Sequence, residues 1–408
     1  MATDTTFLII GGGLAGAKAA EGARTSGYDG RIVLVAEEAT QPYERPPLSK
    51  GVLRGEAEPE TTRVHDPAFY DAQSVELMLG ESVDHLDVAA RTAQLASGSS
   101  IAFDTALLAT GAAPRRLDLP GTSLDGVHYL RTVGDSEQLS AAIRQAGRVA
   151  VIGAGWIGSE VTASARQMGA DVVLIEPAAL PLIHVVGERV GEMFRQLHAD
   201  HGVDLRLGVG FTELRGNGSV AEVVLSDGRV EPADVVVIGV GVSARTELAR
   251  DSGLTVERGV VVDEFLQSSA PGIYAAGDVA EAWHSRYQRR LQIEHWANAL
   301  EQGPHAAANA TGQHEPYTLL PYFFSDQYDL GLEYTGNSSP GDDVVIRGDL
   351  ESREFIAFYH RDGVVSAAMP VNTWDVIDDL KAVVSAGVPI DLGRLADSDV
   401  PLTELPPN

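Results

Sequence analysis

Thr6-Phe-Leu-Ile-Ile10, Gly11-Gly-Gly13-Leu-Ala-Gly16 and Ala17-Lys-Ala-Ala-Glu-Gly-Ala-Arg24 follow one another without a gap. An apolar, β-prone run, a GxGxxG turn and an alanine-rich helical stretch lead to a second apolar run, Arg31-Ile-Val-Leu-Val-Ala36, which ends in Glu37 and Glu38. This is the order of a complete βαβ unit with an acid beyond its second strand. Gly11 permits the tight turn, Gly13 leaves room for a pyrophosphate against the backbone, and Gly16 lets helix and strand approach. The helix start offers free N–H groups and the positive end of a dipole to the phosphates. The carboxylate of Glu37 is placed to accept hydrogen bonds from an adenosine ribose.

Glycine supplies 43 of the 408 residues, so a bare GxGxxG would be weak. The whole arrangement recurs, however, at Arg148-Val-Ala-Val-Ile152, Gly153-Ala-Gly155-Trp-Ile-Gly158 and Ser159-Glu-Val-Thr-Ala-Ser-Ala-Arg166. Its second strand, Asp171-Val-Val-Leu-Ile175, is closed by Glu176. Two full fingerprints predict two dinucleotides: one a tightly held flavin, FAD, the other a nicotinamide that comes and goes. No Arg follows Glu176 until Arg189. A carboxylate there welcomes a ribose 2′-OH and repels a 2′-phosphate, so NADH is expected over NADPH.

Composition removes other classes. With 30 Lys+Arg against 58 Asp+Glu the net charge is −28, which argues against nucleic acid as a main ligand and against a polybasic membrane anchor. No stretch approaches the roughly 20 apolar residues that span a bilayer, and the start lacks the basic n-region of a signal peptide; a cytoplasmic protein is expected. Cysteine is absent, which excludes disulfides, thiolate metal sites and a redox-active CxxC. No Walker A, HExxH or GxSxG pattern occurs.

Further segments resemble a known family. Asp104-Thr-Ala-Leu-Leu-Ala-Thr-Gly-Ala-Ala-Pro114 is similar to the ATG crossover of two-dinucleotide flavoproteins, and Gly272-Ile-Tyr-Ala-Ala-Gly-Asp-Val279 to their second FAD motif. Pro42-Tyr-Glu-Arg-Pro-Pro-Leu-Ser-Lys50, Ile293-Glu-His-Trp-Ala-Asn-Ala299 and Pro321-Tyr-Phe-Phe-Ser-Asp-Gln327 are more particular. Together they resemble the NADH-dependent ferredoxin reductases (the putidaredoxin-reductase type) that serve bacterial cytochrome P450s and ring-hydroxylating dioxygenases. The resemblance runs from Thr6 to about Asp375. It implies that Asp278 bonds the flavin ribityl chain, that Arg45 contacts the FAD pyrophosphate, and that Lys50 sits beside the flavin ring and pairs with Glu160. Trp296 is then near the flavin edge, and Thr110, Gly111, Gly241 and Gly277 join the fingerprint glycines among the cofactor-binding positions. Where relatives often carry Trp in the PYFWSDQ segment, this chain has Phe324, which keeps an aromatic wall but no indole N–H.

Read from the residues alone, two of these positions stay open. Lys18, Lys50 and Lys381 are the only lysines; Lys50 lies in a Pro-rich stretch and reads either as a surface lysine or as a cation that helps to hold negative charge on a reduced flavin. Glu160 reads either as a first-turn acid favoured by the helix dipole or as part of a nicotinamide site.

The expected fold is α/β, glutathione-reductase-like, with two Rossmann-like domains and a small α+β C-terminal domain. Residues 1–113 and 241–320 form the FAD domain and 114–240 the NAD domain, ending in the strand Asp234-Val-Val-Val-Ile-Gly-Val-Gly241. Residues 321–408 form an interface domain with strands at Asp343–Gly348, Arg353–His360 and after the Arg361-Asp-Gly363 turn. A helix from about Thr373 to Ala386 and an extended acidic tail from Asp391 complete it. His198 and His201, at i, i+3 spacing, read as a solvated helix end rather than a metal site. Arg115-Arg116 and the stretch with Arg286, Arg289 and Arg290 are the densest basic spots, either ordinary surface arginines or a docking patch for an acidic iron–sulfur ferredoxin. The expected activity is an FAD-dependent NADH:ferredoxin oxidoreductase that passes single electrons to a [2Fe–2S]-type ferredoxin. Direct reduction of a quinone or radical and a redox sensor resembling apoptosis-inducing factor are the alternatives.

Overall fold

The computed structural model describes residues 5–406; the stretch 1–4, part of the segment read for a leader, and residues 407–408 lie outside the described residues. The chain divides into two compact units. One comprises the residues up to Glu44, Glu60–Ala113 and Val242–Pro321; the other comprises Arg45–Pro59, Pro114–Gly241 and everything from Tyr322 onward. The segment 45–59, expected with the first lobe, belongs to the second unit because its short helix Gly51–Arg54 packs on helices Val133–Gln145 and Trp156–Gln167.

The first unit is built on a parallel sheet in the order Ile273–Ala275, Thr105–Leu108, Thr6–Ile10, Arg31–Ala36, Val75–Leu79. The central strands are near-continuous apolar runs, with Phe7, Leu8, Ile9, Ile32, Val33 and Leu34 fully buried, as a sheet covered on both faces requires. Helix Leu14–Thr25 is almost entirely Ala and Gly on its buried side because helix Trp296–Ala310 presses against it. A Cβ at Gly22 would lie 2.4 Å from the Cα of Pro304, and one at Gly303 2.4 Å from the carbonyl oxygen of Ala15. The two helices therefore meet backbone to backbone.

The second unit repeats the plan with a parallel sheet in the order Asp204–Leu207, Asp171–Glu176, Arg148–Ile152, Val235–Ile238, Val127–His128. The strand expected over 234–241 is thus shorter, and Gly241 lies beyond it at φ +97°. From Tyr322 the chain forms an antiparallel sheet ordered Tyr322–Gln327, Leu330–Gly336, Val364–Val371, Glu354–Arg361, Asp343–Asp349. Its apolar face, with Phe323, Leu332, Tyr334, Phe355 and Met369, packs against Val186, Val190, Phe194 and Leu197 of helix Ile183–Asp200.

Three local expectations change. The helix expected from Thr373 starts at Ile377, because Asn372 (φ +46°) and Asp375 (φ +60°) take left-handed conformations that no helix interior accepts. The tail is not simply extended: the Asp391 side chain accepts the Arg394 N–H and caps a short helix, Leu392–Ala396. His198 is no solvated helix end. It is fully buried, its Nδ1 is 3.2 Å from the Tyr328 hydroxyl, and the Tyr328 ring stacks on His201. No group of three metal-ligating side chains occurs among the described residues, and no helix there is long and apolar enough to cross a membrane.

Burial, with a smaller contribution from His201, pushes the His198 imidazole down to about 3. A free histidine titrates near 6.5, so between these values the unfolded chain takes up a proton that the folded chain refuses. His198 therefore leaves stability intact above about pH 6.5 and withdraws about 2 kcal/mol by pH 5. Denaturant unfolding at pH 7 and pH 5 is expected to show a smaller loss of stability in His198→Gln than in the parent; equal losses would contradict it.

Candidate active site

Gly11 and Gly153 occupy equivalent places. Each follows the central strand of its sheet, takes a positive φ (+122° and +99°), and has no room for a side chain. A Cβ on Gly11 would fall 2.1 Å from the Ala109 carbonyl oxygen, and one on Gly153 2.4 Å from that of Gly239. Gly16 and Gly158 repeat the constraint, with Cβ positions 2.0 and 1.9 Å from the carbonyl oxygens of Gly11 and Gly153. Gly13 and Gly155, by contrast, face open space: nothing lies within 4 Å of their Cβ positions. These two glycines are the N-caps of helices Leu14–Thr25 and Trp156–Gln167; neither helix has a capping side chain or a first-turn acid. Each helix thus begins with unsatisfied N–H groups aimed at an open cradle, which fits a dinucleotide pyrophosphate.

Around the first cradle the chain brings distant segments together. Gly277 (φ +77°) sits against Ala15, its Cβ position 3.1 Å from the Ala15 Cβ, and its N–H donates to Gln302 Oε1 at 3.0 Å. Asp278, the next residue, is half-buried. Trp296 opens its helix right after His295, where burial pushes the imidazole down to about 4 against the pull of the Asp278 carboxylate. Thr110 Oγ1 donates to the Arg245 carbonyl at 2.8 Å, and the Arg245 N–H to the Gly111 carbonyl at 2.9 Å.

The acids after the two second strands are placed differently. Ile10 pairs with Val35, and Ile152 with Ile175, so Glu176 corresponds to Ala36. Glu37 is exposed and pairs with Arg245, whereas Glu38 is half-buried and accepts the Tyr43 hydroxyl at 2.5 Å. Glu176 turns back onto its own cradle: Oε2 accepts the Ala154 N–H at 2.7 Å and Oε1 the Ala178 N–H at 2.8 Å.

In the second unit Lys50 and Glu160 do meet. Pro46–Ser49 form one 3-10 turn with Pro at its start, and Lys50 Nζ lies 2.8 Å from Glu160 Oε2. Glu160 is the fifth residue of its helix and 4% exposed, which rules out the first-turn reading. The Lys50 side chain is 13% exposed and therefore no surface lysine. Its ammonium lies 5.7 Å from the centre of the Phe324 ring, within cation–π range, so phenylalanine supplies the ring face without an indole. Arg45 donates through Nη1 to the Arg131 carbonyl. Two hydroxyls that drew no attention in the sequence complete the cluster: Ser49 Oγ donates to Glu160 Oε2 at 2.5 Å and Ser325 Oγ to Oε1 at 2.6 Å. Both flank motif residues already singled out, but serine carries no pattern that marks it as a partner.

The basic stretch forms a hairpin, Ala280–His284 with Arg289–Gln292. It is partly neutralised: Arg290 pairs with Glu257 at 3.0 Å and neighbouring Arg258 with Glu281 at 2.9 Å, while Arg286 lies over Tyr287.

One chain with two open pyrophosphate cradles defines a two-dinucleotide oxidoreductase. Residues 5–303 match the pyridine nucleotide-disulphide oxidoreductase family and residues 322–406 the reductase C-terminal family; the chain belongs to this family of FAD- and NAD(H)-using enzymes. It is 38% identical to the 5,5′-dehydrodivanillate O-demethylase ferredoxin reductase subunit of a Sphingobium species, over 98% of this chain and 97% of the other. It is 35% identical to putidaredoxin reductase of Pseudomonas putida, over 99% and 97%. A crystal structure of the covalent putidaredoxin reductase–putidaredoxin complex superposes with a TM-score of 0.95 at 35% identity, covering 98% of both chains.

The sequence places Glu176 as the carboxylate expected to oppose a 2′-phosphate, and Glu176→Ser tests that expectation by removing its charge. The ratio of NADPH to NADH efficiency (kcat/KM) is expected to rise about tenfold or more; an unchanged ratio in steady-state kinetics would mean that another residue sets the preference.

Proposed function

We propose that this protein is an NADH:ferredoxin oxidoreductase of a cytochrome P450 or dioxygenase system. The observation that carries the reading is the pair of matched cradles, Gly11–Gly16 and Gly153–Gly158, in a chain that has no cysteine. Relatives on this scaffold that act on disulfides need a cysteine pair near the flavin; here the electrons must leave to an external acceptor. FAD, when bound, accepts a hydride from NADH and releases electrons one at a time.

The chain's own residues divide the remaining work. The first cradle with Asp278, Thr110 and Gly111 holds FAD, while the second with Glu176 takes up NADH and orients it, the larger part of the rate effect in a reaction whose chemistry belongs to the cofactors. Lys50 is the cation beside the flavin, offsetting charge on the reduced ring, and Trp296 lies at its edge. Arg45 holds the FAD pyrophosphate. The acceptor is an acidic ferredoxin, for which Arg286, Arg289 and Arg290 on the hairpin are the docking charges; on a chain of net charge −28 they act chiefly on encounter rate. The absence of any membrane-crossing helix among the described residues is consistent with cytoplasmic action.

The purified protein is expected to be yellow, to bleach with NADH when air is excluded, and to reduce cytochrome c only when ferredoxin is added. Equal cytochrome c reduction without ferredoxin would favour a diffusible acceptor instead. Lys50→Ala is expected to slow bleaching about tenfold or more, measured by anaerobic stopped-flow absorbance.

A further inference from the structure

Glu160 is a buried carboxylate shared by three stretches of chain. Its helix, Trp156–Gln167, brings it to Ser49 and Lys50 of the 45–59 segment and to Ser325 of the strand Tyr322–Gln327. Ser49 and Ser325 are each 1% exposed. An ionised carboxylate in such surroundings is tolerated only if its oxygens are filled by donors, and here the donors are divided unequally. Oε2 receives both Ser49 and Lys50; Oε1 receives Ser325 at 2.6 Å.

The division matters because the terminal torsion of a glutamate is soft. With only one oxygen held, the carboxylate plane can turn, and the ammonium paired to it follows. Ser49 cannot serve as the brake, since it pulls on the same oxygen as Lys50; moreover, its own carbonyl is held by the Ser164 hydroxyl at 2.6 Å, tying it to the same helix as Glu160. Ser325 alone reaches the other oxygen, from the strand Tyr322–Gln327. Its strand neighbour, Phe324, presents its ring to the Lys50 ammonium. Two consecutive residues of one strand thus fix the two members of the ion pair: one the cation, the other the carboxylate.

We infer that Ser325 is a positioning residue for the Lys50–Glu160 pair, setting where the Lys50 charge stands and, through it, how readily the bound flavin accepts a hydride. This rests on the role given to Lys50 above. The C-terminal segment is then a working part of the NADH half-reaction rather than only a cover.

The test uses the FAD-loaded protein and three measurements: anaerobic bleaching by NADH, separated into limiting rate and apparent NADH affinity; the midpoint potential of the bound flavin; and the melting temperature. Ser325→Ala is expected to lower the limiting rate about tenfold, with the misplaced cation as the cause. It should also move the flavin potential in the same direction as Lys50→Ala, by less. Ser325→Thr, which keeps the hydroxyl, should restore both. Should the alanine variant not retain FAD, Ser325→Cys keeps the volume with a weaker donor and is expected to fall between. A lowered melting temperature with parental potential and limiting rate would make Ser325 merely structural and overturn the inference. If Lys50→Ala itself leaves the potential unchanged, it is the role of Lys50 that fails; if Lys50→Ala shifts it and Ser325→Ala does not, only the positioning role does.

Discussion

The close approach of glycine backbone to a neighbouring carbonyl oxygen, made at Gly11 and Gly16 and repeated at Gly153 and Gly158, is the constraint on which the rest depends. At Gly11 and Gly153 the backbone leaves a buried parallel strand and must turn at once into a helix, passing so close to Ala109 and Gly239 that any side chain would collide with backbone. At Gly16 and Gly158 the returning helix presses on the turn it has just left. These close approaches orient each helix start, with its free N–H groups, toward open space in front of Gly13 and Gly155. Both cradles suit an anion by that geometry before any side chain is considered.

The second organising contact is electrostatic and lies within one unit. Burying Glu160 costs free energy that is offset only by a full set of donors, and the donors come from two segments widely separated in sequence, Ser49-Lys50 and Ser325. A charge network of this kind adds little to stability compared with an apolar core of the same volume. What it supplies is a fixed location for the Lys50 ammonium, between the carboxylate and the face of Phe324. Phenylalanine at position 324 fits such a role, because a cation needs the ring face and not an indole N–H.

Much of this was legible in the sequence because it obeys local rules. The strands Thr6–Ile10, Arg31–Ala36 and Arg148–Ile152 lie where their apolar runs end against glycine or acid. The pairing of Lys50 with Glu160 came from family resemblance, not from pattern, since the two are distant in sequence. What stayed hidden depends on tertiary context. Nothing in His198-Ala-Asp-His201 says that the first ring is buried on Tyr328. The start of the helix at Ile377 is set by two left-handed residues, Asn372 and Asp375, whose backbone conformations only the folded chain shows. The placement of segment 45–59 with the second unit could not be read from motif order, because the chain leaves the first unit after Glu44 and is back in it at Glu60. Ser325 and Gln302 are uncharged side chains whose importance lies entirely in what faces them.

The claim that most needs testing is that the two cradles hold different dinucleotides, one resident and one exchanging. Counting them does so directly: denature the purified protein, quantify released FAD per chain, and titrate the native protein with NAD⁺ by calorimetry. One FAD per chain that survives gel filtration is expected, with one further, reversible NAD⁺ site. A colourless protein, or a yellow one with no separate nicotinamide site, would contradict it.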